Sequence, residues 1–145
     1  MFVIDASVWV SRFIPSEANH EASRRWIESI TNARISVIEP TLVLPEVAGA
    51  IARQTRNPDL GSEIAASITF MRLVRFEPLD NGSAHLAADL AADLMIKGSD
   101  SVYLAVAESH GYELVTWDQT QLERGGSRVP VHRPSDLLAA QRGAE

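Results

Sequence analysis

The stretch Phe2-Val3-Ile4-Asp5-Ala6-Ser7 carries the first decision about the fold. Three apolar residues, two of them β-branched, stop at an acid, and a helical pattern starts directly after it. A run this short and this apolar reads as a strand buried on both faces, as strands of parallel sheets are. The same grammar returns late in the chain, where Leu114-Val115-Thr116-Trp117 runs into Asp118. Between the two lie further short apolar runs at Ile35–Ile38 and Val74–Phe76, and Val129–His132 comes as a last one.

The segments between these runs have helical spacing. Ser7 is placed to cap a helix that Pro15 ends near Ile14, and Glu17–Ile30 carries Ala22, Trp26 and Ile30 on one helical face. Thr41 is placed to cap a helix reaching about Arg53, with Pro45 tolerated near its first turn. Leu60–Leu73 is amphipathic. Asn81 or Ser83 opens an Ala-rich helix to about Ile96, which Lys97-Gly98 breaks. Ser99 then caps a helix from Asp100 to His110, and Gly111 suits the left-handed position after its end. Gln119–Arg124 makes a brief helix stopped by Gly125-Gly126, and Ser135 caps a final one. Strands alternating with helices predict an α/β protein whose mostly parallel sheet has helices on both faces.

A chain of 145 residues is expected to form one domain over residues 1–145, large enough to bury a core without staples. The 46% hydrophobic and 22% charged fractions argue against a disordered chain or a rod. The absence of cysteine excludes a disulfide framework, a thiolate zinc site and a cysteine nucleophile. The 13 basic and 19 acidic residues give 13 − 19 = −6, so any nucleic acid must be met by local positive charge or bound metal. No basic leader precedes the first apolar run, and no apolar stretch approaches the roughly 20 residues of a membrane span. A soluble, cytoplasmic protein without membrane contact is expected.

In open parallel sheets functional groups gather outside the carboxyl ends of the strands. Asp5 and Asp118 stand there. Glu46 and Asp100 fall in the first turns of helices, where the helix dipole favours negative charge. Taken alone, Asp5 and Asp118 read as readily as turn or cap residues, and Glu46 and Asp100 read first as ordinary helix-start residues. Together, four converging carboxylates would repel one another unless cations neutralised them, and oxygen-only ligands suit Mg²⁺ or Mn²⁺. Such a centre activates water and stabilises a phosphoryl transition state.

The joint pattern resembles the PIN-domain nucleases, and more narrowly the VapC-type toxins of bacterial toxin–antitoxin pairs. Val3-Ile4-Asp5-Ala6-Ser7 resembles the family's opening strand, acid and small hydroxyl residue. Leu42-Val43-Leu44-Pro45-Glu46-Val47 resembles its second motif, Gly98-Ser99-Asp100-Ser101-Val102-Tyr103-Leu104-Ala105-Val106-Ala107 its third, and Leu114-Val115-Thr116-Trp117-Asp118 its fourth. Two positions depart from the commonest pattern: Ser101 stands where Ala is usual, and Gln119 comes directly after Asp118, so no second acid is close by. The resemblance implies a three-layer α/β/α fold with five parallel strands in the order 3-2-1-4-5. It implies Asp5 and Asp100 as the main metal ligands, with Asp118 completing the shell directly or through water. Glu46 would hold or orient a water, and Ser7 and Thr116 would be supporting hydroxyls. The implied reaction is hydrolysis of RNA phosphodiesters, with one or two Mg²⁺ or Mn²⁺ ions. The implied partners are RNA, a small antitoxin that places an Arg or Lys among the acids, and a second copy in a homodimer.

Competing readings are a PIN-like RNA- or protein-binding module without turnover, and a phosphoacceptor domain. The latter expects an acid pair after the first strand and a late lysine, whereas Lys97 is the only lysine. His20, His85, His110 and His132 have no ligand spacing, and Asp89 and Asp93 read as a solvated helix face. Trp9, Phe13 and Trp26 read either as core or as a groove for an antitoxin segment or a dimer contact. Arg12, Arg53 and Arg56 read as surface charges that can meet phosphate.

Overall fold

The computed structural model describes residues 1–143. In chain order the elements are β1 (Phe2–Ile4), α1 (Ala6–Phe13), α2 (His20–Asn32), β2 (Val37–Pro40), α3 (Val43–Thr55) and α4 (Pro58–Thr69). They continue as β3 (Val74–Glu77), α5 (Asn81–Leu94), α6 (Gly98–His110), β4 (Glu113–Val115), α7 (Gln119–Gly125), β5 (Val131–His132) and α8 (Pro134–Gly143). All strand pairings are parallel and the sheet order is β3-β2-β1-β4-β5. This is the three-layer α/β/α arrangement that the sequence motifs imply, with the first strand central.

The register of β1 on β4 decides what the sheet delivers. Phe2, Val3 and Ile4 lie opposite Glu113, Leu114 and Val115. The next residues, Asp5 and Thr116, therefore leave the sheet side by side, and the Asp5 amide closes the ladder on the Val115 carbonyl at 2.9 Å. On the other flank β1 meets β2 only at Phe2 opposite Val37. Pro40 ends β2 and has no amide to offer, so the ladder opens toward the carboxyl end.

Helix α6 is buried nearly all round, from Ser101 to Ala107, which marks a central helix rather than a surface one. It packs across β1, β2 and β4 and carries α5 on its outer side. Helices α3 and α4 form the tightest helical pair. Gly61 permits it: a Cβ there would press into the Ala48 carbonyl oxygen, inside van der Waals contact. Gly111 ends α6 in the left-handed region at φ 65°, as expected.

Several boundaries move. β2 begins two residues later than the apolar run suggests and takes in Glu39 and Pro40, while β4 stops before Thr116. The helix caps move more. Asp5, not Ser7, caps α1; Asp80, not Asn81 or Ser83, caps α5. Neither Thr41 nor Ser99 caps a helix: α3 and α6 start after Leu42 and Lys97 without a side-chain cap bond.

Candidate active site

Asp5 sits at the end of β1, 6% exposed, with both carboxylate oxygens engaged. Oδ2 accepts the Ser7 amide at 2.9 Å, and Oδ1 accepts the Gln121 amide group at 3.2 Å. The acid thus caps α1 while its other oxygen is held from α7. Asp118 repeats the device one strand over. Its Oδ1 accepts the Gln121 amide at 2.8 Å as cap of α7, and its own amide donates to Thr116 Oγ1 at 2.9 Å. Ser7 Oγ accepts the Trp117 amide at 3.1 Å and ties α1 to the segment after β4. Both supporting hydroxyls therefore hold backbone at the strand ends, with Thr116 fully buried.

Glu46 and Asp100 enter from the first turns of α3 and α6. Tyr103, one turn along α6 from Asp100, donates its hydroxyl to Glu46 Oε2 at 2.5 Å. The electrostatics link all four acids. Burial raises the Asp100 carboxyl most, and the charges of Asp5, Asp118 and Glu46 add to that, against Lys97, to bring it to about 6. Glu46 is raised mainly by burial, with help from Asp5, and Tyr103 and Ser99 oppose the rise. Asp5 is raised by burial; its bonds from Ser7 and Gln121 counter this and Asp118 reinforces it. In each, burial first and neighbouring carboxylates second disfavour the charged form.

Among the described residues, no three carboxylate or imidazole groups already stand close enough to close on one ion, so ligation requires side-chain rotation. The donor chemistry fits a hard divalent ion. The donors are oxygens only, they are half or fully withdrawn from water, and they repel one another without a bound cation. Asp5, Asp100 and Asp118 are the residues that would hold it.

Three site residues escape the sequence reading. Tyr103 looks like one more apolar position of α6, and only its spacing from Asp100 hints at the site face. Gln121 is 1% exposed and looks like surface in a short polar helix. Glu39 is fully buried in β2: its Oε1 accepts the Ile4 amide at 3.1 Å and Trp9 Nε1 at 3.0 Å. Trp9 and Trp26 are fully buried core residues, which removes them as groove residues, and Phe13 is half-buried under Arg12. Trp117 takes the groove position instead. An open groove of about 580 Å³ reaches Glu46, lined also by Ser7, Glu17, Arg53 and Trp117 among others. The Trp117 ring is held by its Nε1 bond to Ser23 Oγ at 2.8 Å. The histidines stay apart from the acids, His132 pairing with Glu113 at 2.8 Å and His110 with Glu77 at 3.6 Å. Asp89 and Asp93 face solvent.

A central parallel sheet with Asp5 and Asp118 past the ends of neighbouring strands, and Glu46 and Asp100 on the first turns of two helices, defines the class: an α/β protein with an acidic corner. The PIN domain family matches residues 2–126, and the chain belongs to it. Its structure is similar to that of Mycobacterium tuberculosis VapC20, described as a sarcin-ricin loop cleaving toxin, with TM-score 0.71 and 20% identity over 82% of this chain and 91% of that one. It is similar to FitAcB from Neisseria gonorrhoeae, with TM-score 0.69 and 21% identity over 92% and 98% of the two chains. A third likeness is to VapBC2 from Rickettsia felis bound to a promoter DNA fragment, with TM-score 0.68 and 10% identity over 91% and 97%. No curated protein sequence matches the chain. Among the described residues, no helix is long and apolar enough to cross a membrane.

Proposed function

We propose that this chain is a metal-dependent endoribonuclease, a cytoplasmic VapC-type toxin acting as a single domain and silenced by a small antitoxin. The observation that carries the reading is the placement of Asp5 and Asp118 just past the ends of neighbouring strands β1 and β4, with Glu46 and Asp100 in the first turns of α3 and α6. Family membership supports nuclease chemistry, and the fold shared with VapC20, a toxin that cleaves the sarcin-ricin loop, supports RNA as substrate.

In this reading Asp5, Asp100 and Asp118 hold Mg²⁺ or Mn²⁺. The bound ion supplies Lewis acidity and charge neutralisation at the scissile phosphate. Asp5 is pre-positioned for this by Ser7 and Gln121. Glu46, aimed by Tyr103, orients the attacking water and accepts its proton as the water attacks phosphorus; one P–O ester bond breaks, and the departing ribose oxygen takes a proton from solvent to leave as the alcohol. Its raised proton affinity suits that role. Thr116 and Ser7 keep the two strand ends in register.

The antitoxin proposal rests on charge. A net charge of −6 and an acidic corner attract a cationic side chain as well as a metal ion. A basic residue placed among the four acids displaces the ion. The toxin acts as a homodimer in this reading, as expected from the resemblance.

The test uses purified, antitoxin-free protein on structured RNA. Cleavage is expected in Mg²⁺ or Mn²⁺, none in EDTA, and none with Asp5→Ala of unchanged circular dichroism. Cleavage that survives EDTA or Asp5→Ala refutes the reading. Co-expression with the small reading frame upstream, then size-exclusion chromatography and a growth assay, tests the partner. A chain harmless alone that co-purifies with no small protein refutes the toxin role while sparing the nuclease.

A further inference from the structure

Glu39 is the one fully buried carboxyl outside the proposed ligand set among the described residues. No cationic side chain pairs with it there. Its location explains the anomaly. β1 and β2 pair only at Phe2 and Val37; beyond that point Pro40 has no N–H to give the Ile4 carbonyl, and the Ile4 amide donates to the Glu39 side chain in place of the β2 backbone. The Ile4 amide points into that gap, and a buried amide without an acceptor is costly. Glu39 fills the gap with its side chain: Oε1 takes the Ile4 amide at 3.1 Å and the Trp9 indole at 3.0 Å. One oxygen therefore fastens the last residue of β1 to the middle of α1. Asp5 lies between those two attachment points, at the strand-to-helix turn.

We propose that Glu39 is a positioning residue for Asp5, clamping the turn between β1 and α1 so that the Asp5 carboxylate is presented to the metal in one orientation. The inference rests on the nuclease reading above for its consequence in catalysis, but its structural part stands separately. What the clamp needs is an acceptor oxygen, not a charge. Burial raises the Glu39 carboxyl well above its ordinary range, as expected where the negative charge has no cationic partner. An amide oxygen serves the clamp as well as a carboxyl oxygen, and a hydrocarbon side chain does not.

Glu39→Gln and Glu39→Leu separate those cases. Three readouts apply: Mn²⁺ affinity by calorimetry, steady-state RNA cleavage, and hydrogen exchange of the metal-free protein by NMR. The Ser7 amide, bonded to Asp5 Oδ2, reports how firmly Asp5 is held. Supporting residues of this kind contribute about tenfold or more to metal affinity or activity. Glu39→Leu is expected to weaken Mn²⁺ binding and lower kcat by about tenfold with KM nearly unchanged. It is also expected to speed Ser7 amide exchange while Val102 and Leu104 in α6 keep theirs. Glu39→Gln is expected to restore all three to wild-type values.

If Glu39→Leu does not fold, Trp9→Phe with Glu39→Leu replaces both polar partners by apolar ones, a milder change for the core, and the same outcomes apply. Unchanged Ser7 exchange and unchanged Mn²⁺ affinity in the leucine variant overturn the proposal. So does a glutamine variant as impaired as the leucine one, since charge and not the acceptor would then matter. A wild-type protein that cuts no RNA refutes the nuclease reading alone, because the exchange experiment still decides whether Glu39 holds Asp5.

Discussion

Replacing Asp100 by asparagine removes one charge from the acidic corner and almost no volume. Without metal, Asp100 pays for its ionisation with lost hydration and with repulsion from Asp5, Asp118 and Glu46, which together bring it from an ordinary 3.8 to about 6. The folded state therefore binds more protons than the unfolded state between about pH 4 and pH 6. Stability falls as pH rises through that window, and the cost is complete above it. Taken at face value the difference is about 3 kcal/mol. Asp100 is half-buried, so solvent screening reduces this to about 1 kcal/mol. For a chain of this size that is a melting-point difference of about 4 °C.

Asp100→Asn should thus melt about 4 °C above wild type in EDTA at pH 7.5, and the gap should close toward pH 4. Metal reverses the ranking. At a hundredfold excess over its dissociation constant, Mn²⁺ stabilises wild type by about 2.7 kcal/mol, and Asp100→Asn should lose most of that rise. Asp5→Asn combined with Asp100→Asn should lose all of it. Differential scanning calorimetry at pH 7.5 and 4.5, with EDTA or Mn²⁺, measures every arm. If Asp100→Asn is less stable than wild type in EDTA at pH 7.5, the carboxylate makes a stabilising contact and the repulsion argument is wrong. If the double variant keeps the wild-type response to Mn²⁺, the ligand assignment is wrong.

Other perturbations test the supports. Tyr103→Phe takes the hydroxyl from Glu46 Oε2 and should lower kcat by about tenfold without changing the circular dichroism spectrum. Gln121→Leu removes a bond that lowers the Asp5 proton affinity, so the acid limb of the pH–rate profile should move to higher pH; a limb that stays put separates Asp5 from that titration. Gly61→Ala forces a methyl group into the Ala48 carbonyl oxygen, and should destabilise the protein by about 1–3 kcal/mol in urea unfolding while leaving the metal-induced stabilisation intact.

The strand ends are legible in the sequence because each acid reads together with the apolar run before it. Phe2–Ile4 and Leu114–Val115 look like core strands, and Asp5 and Asp118 look like residues just past the end of one. The strand order comes through the resemblance that these motifs carry. The caps differ from expectation for a related reason. Ser7 and Ser99 have the chemistry of cap residues, but Asp5 already occupies the cap position that its strand end dictates, and α6 starts earlier, at Gly98. Local preference is overruled by where the sheet stops. Tyr103 and Gln121 stay hidden because their roles depend on partners 57 and 116 residues away, and periodicity speaks only of neighbours. Trp9 and Trp26 leave two readings open, and full burial decides for the core.

Glu39 shows the limit from the other side. In Ile38-Glu39-Pro40 the acid and the proline together suggest a strand that has ended, and the sequence reading stops the strand at Ile38. Instead the strand continues through Pro40 against β3, where Val37–Pro40 lies opposite Val74–Glu77, and it is only the pairing with β1 that fails. The proline breaks one edge of β2 and spares the other. The acid that looks like a loop residue sits in the break, accepting an amide that the ladder no longer serves. On the other flank β1 ends at the same residue, Ile4 opposite Val115, and Asp5 follows as the cap of α1. Glu39, hidden from the sequence by the proline beside it, thus holds the last residue of β1 and the middle of α1 on either side of Asp5.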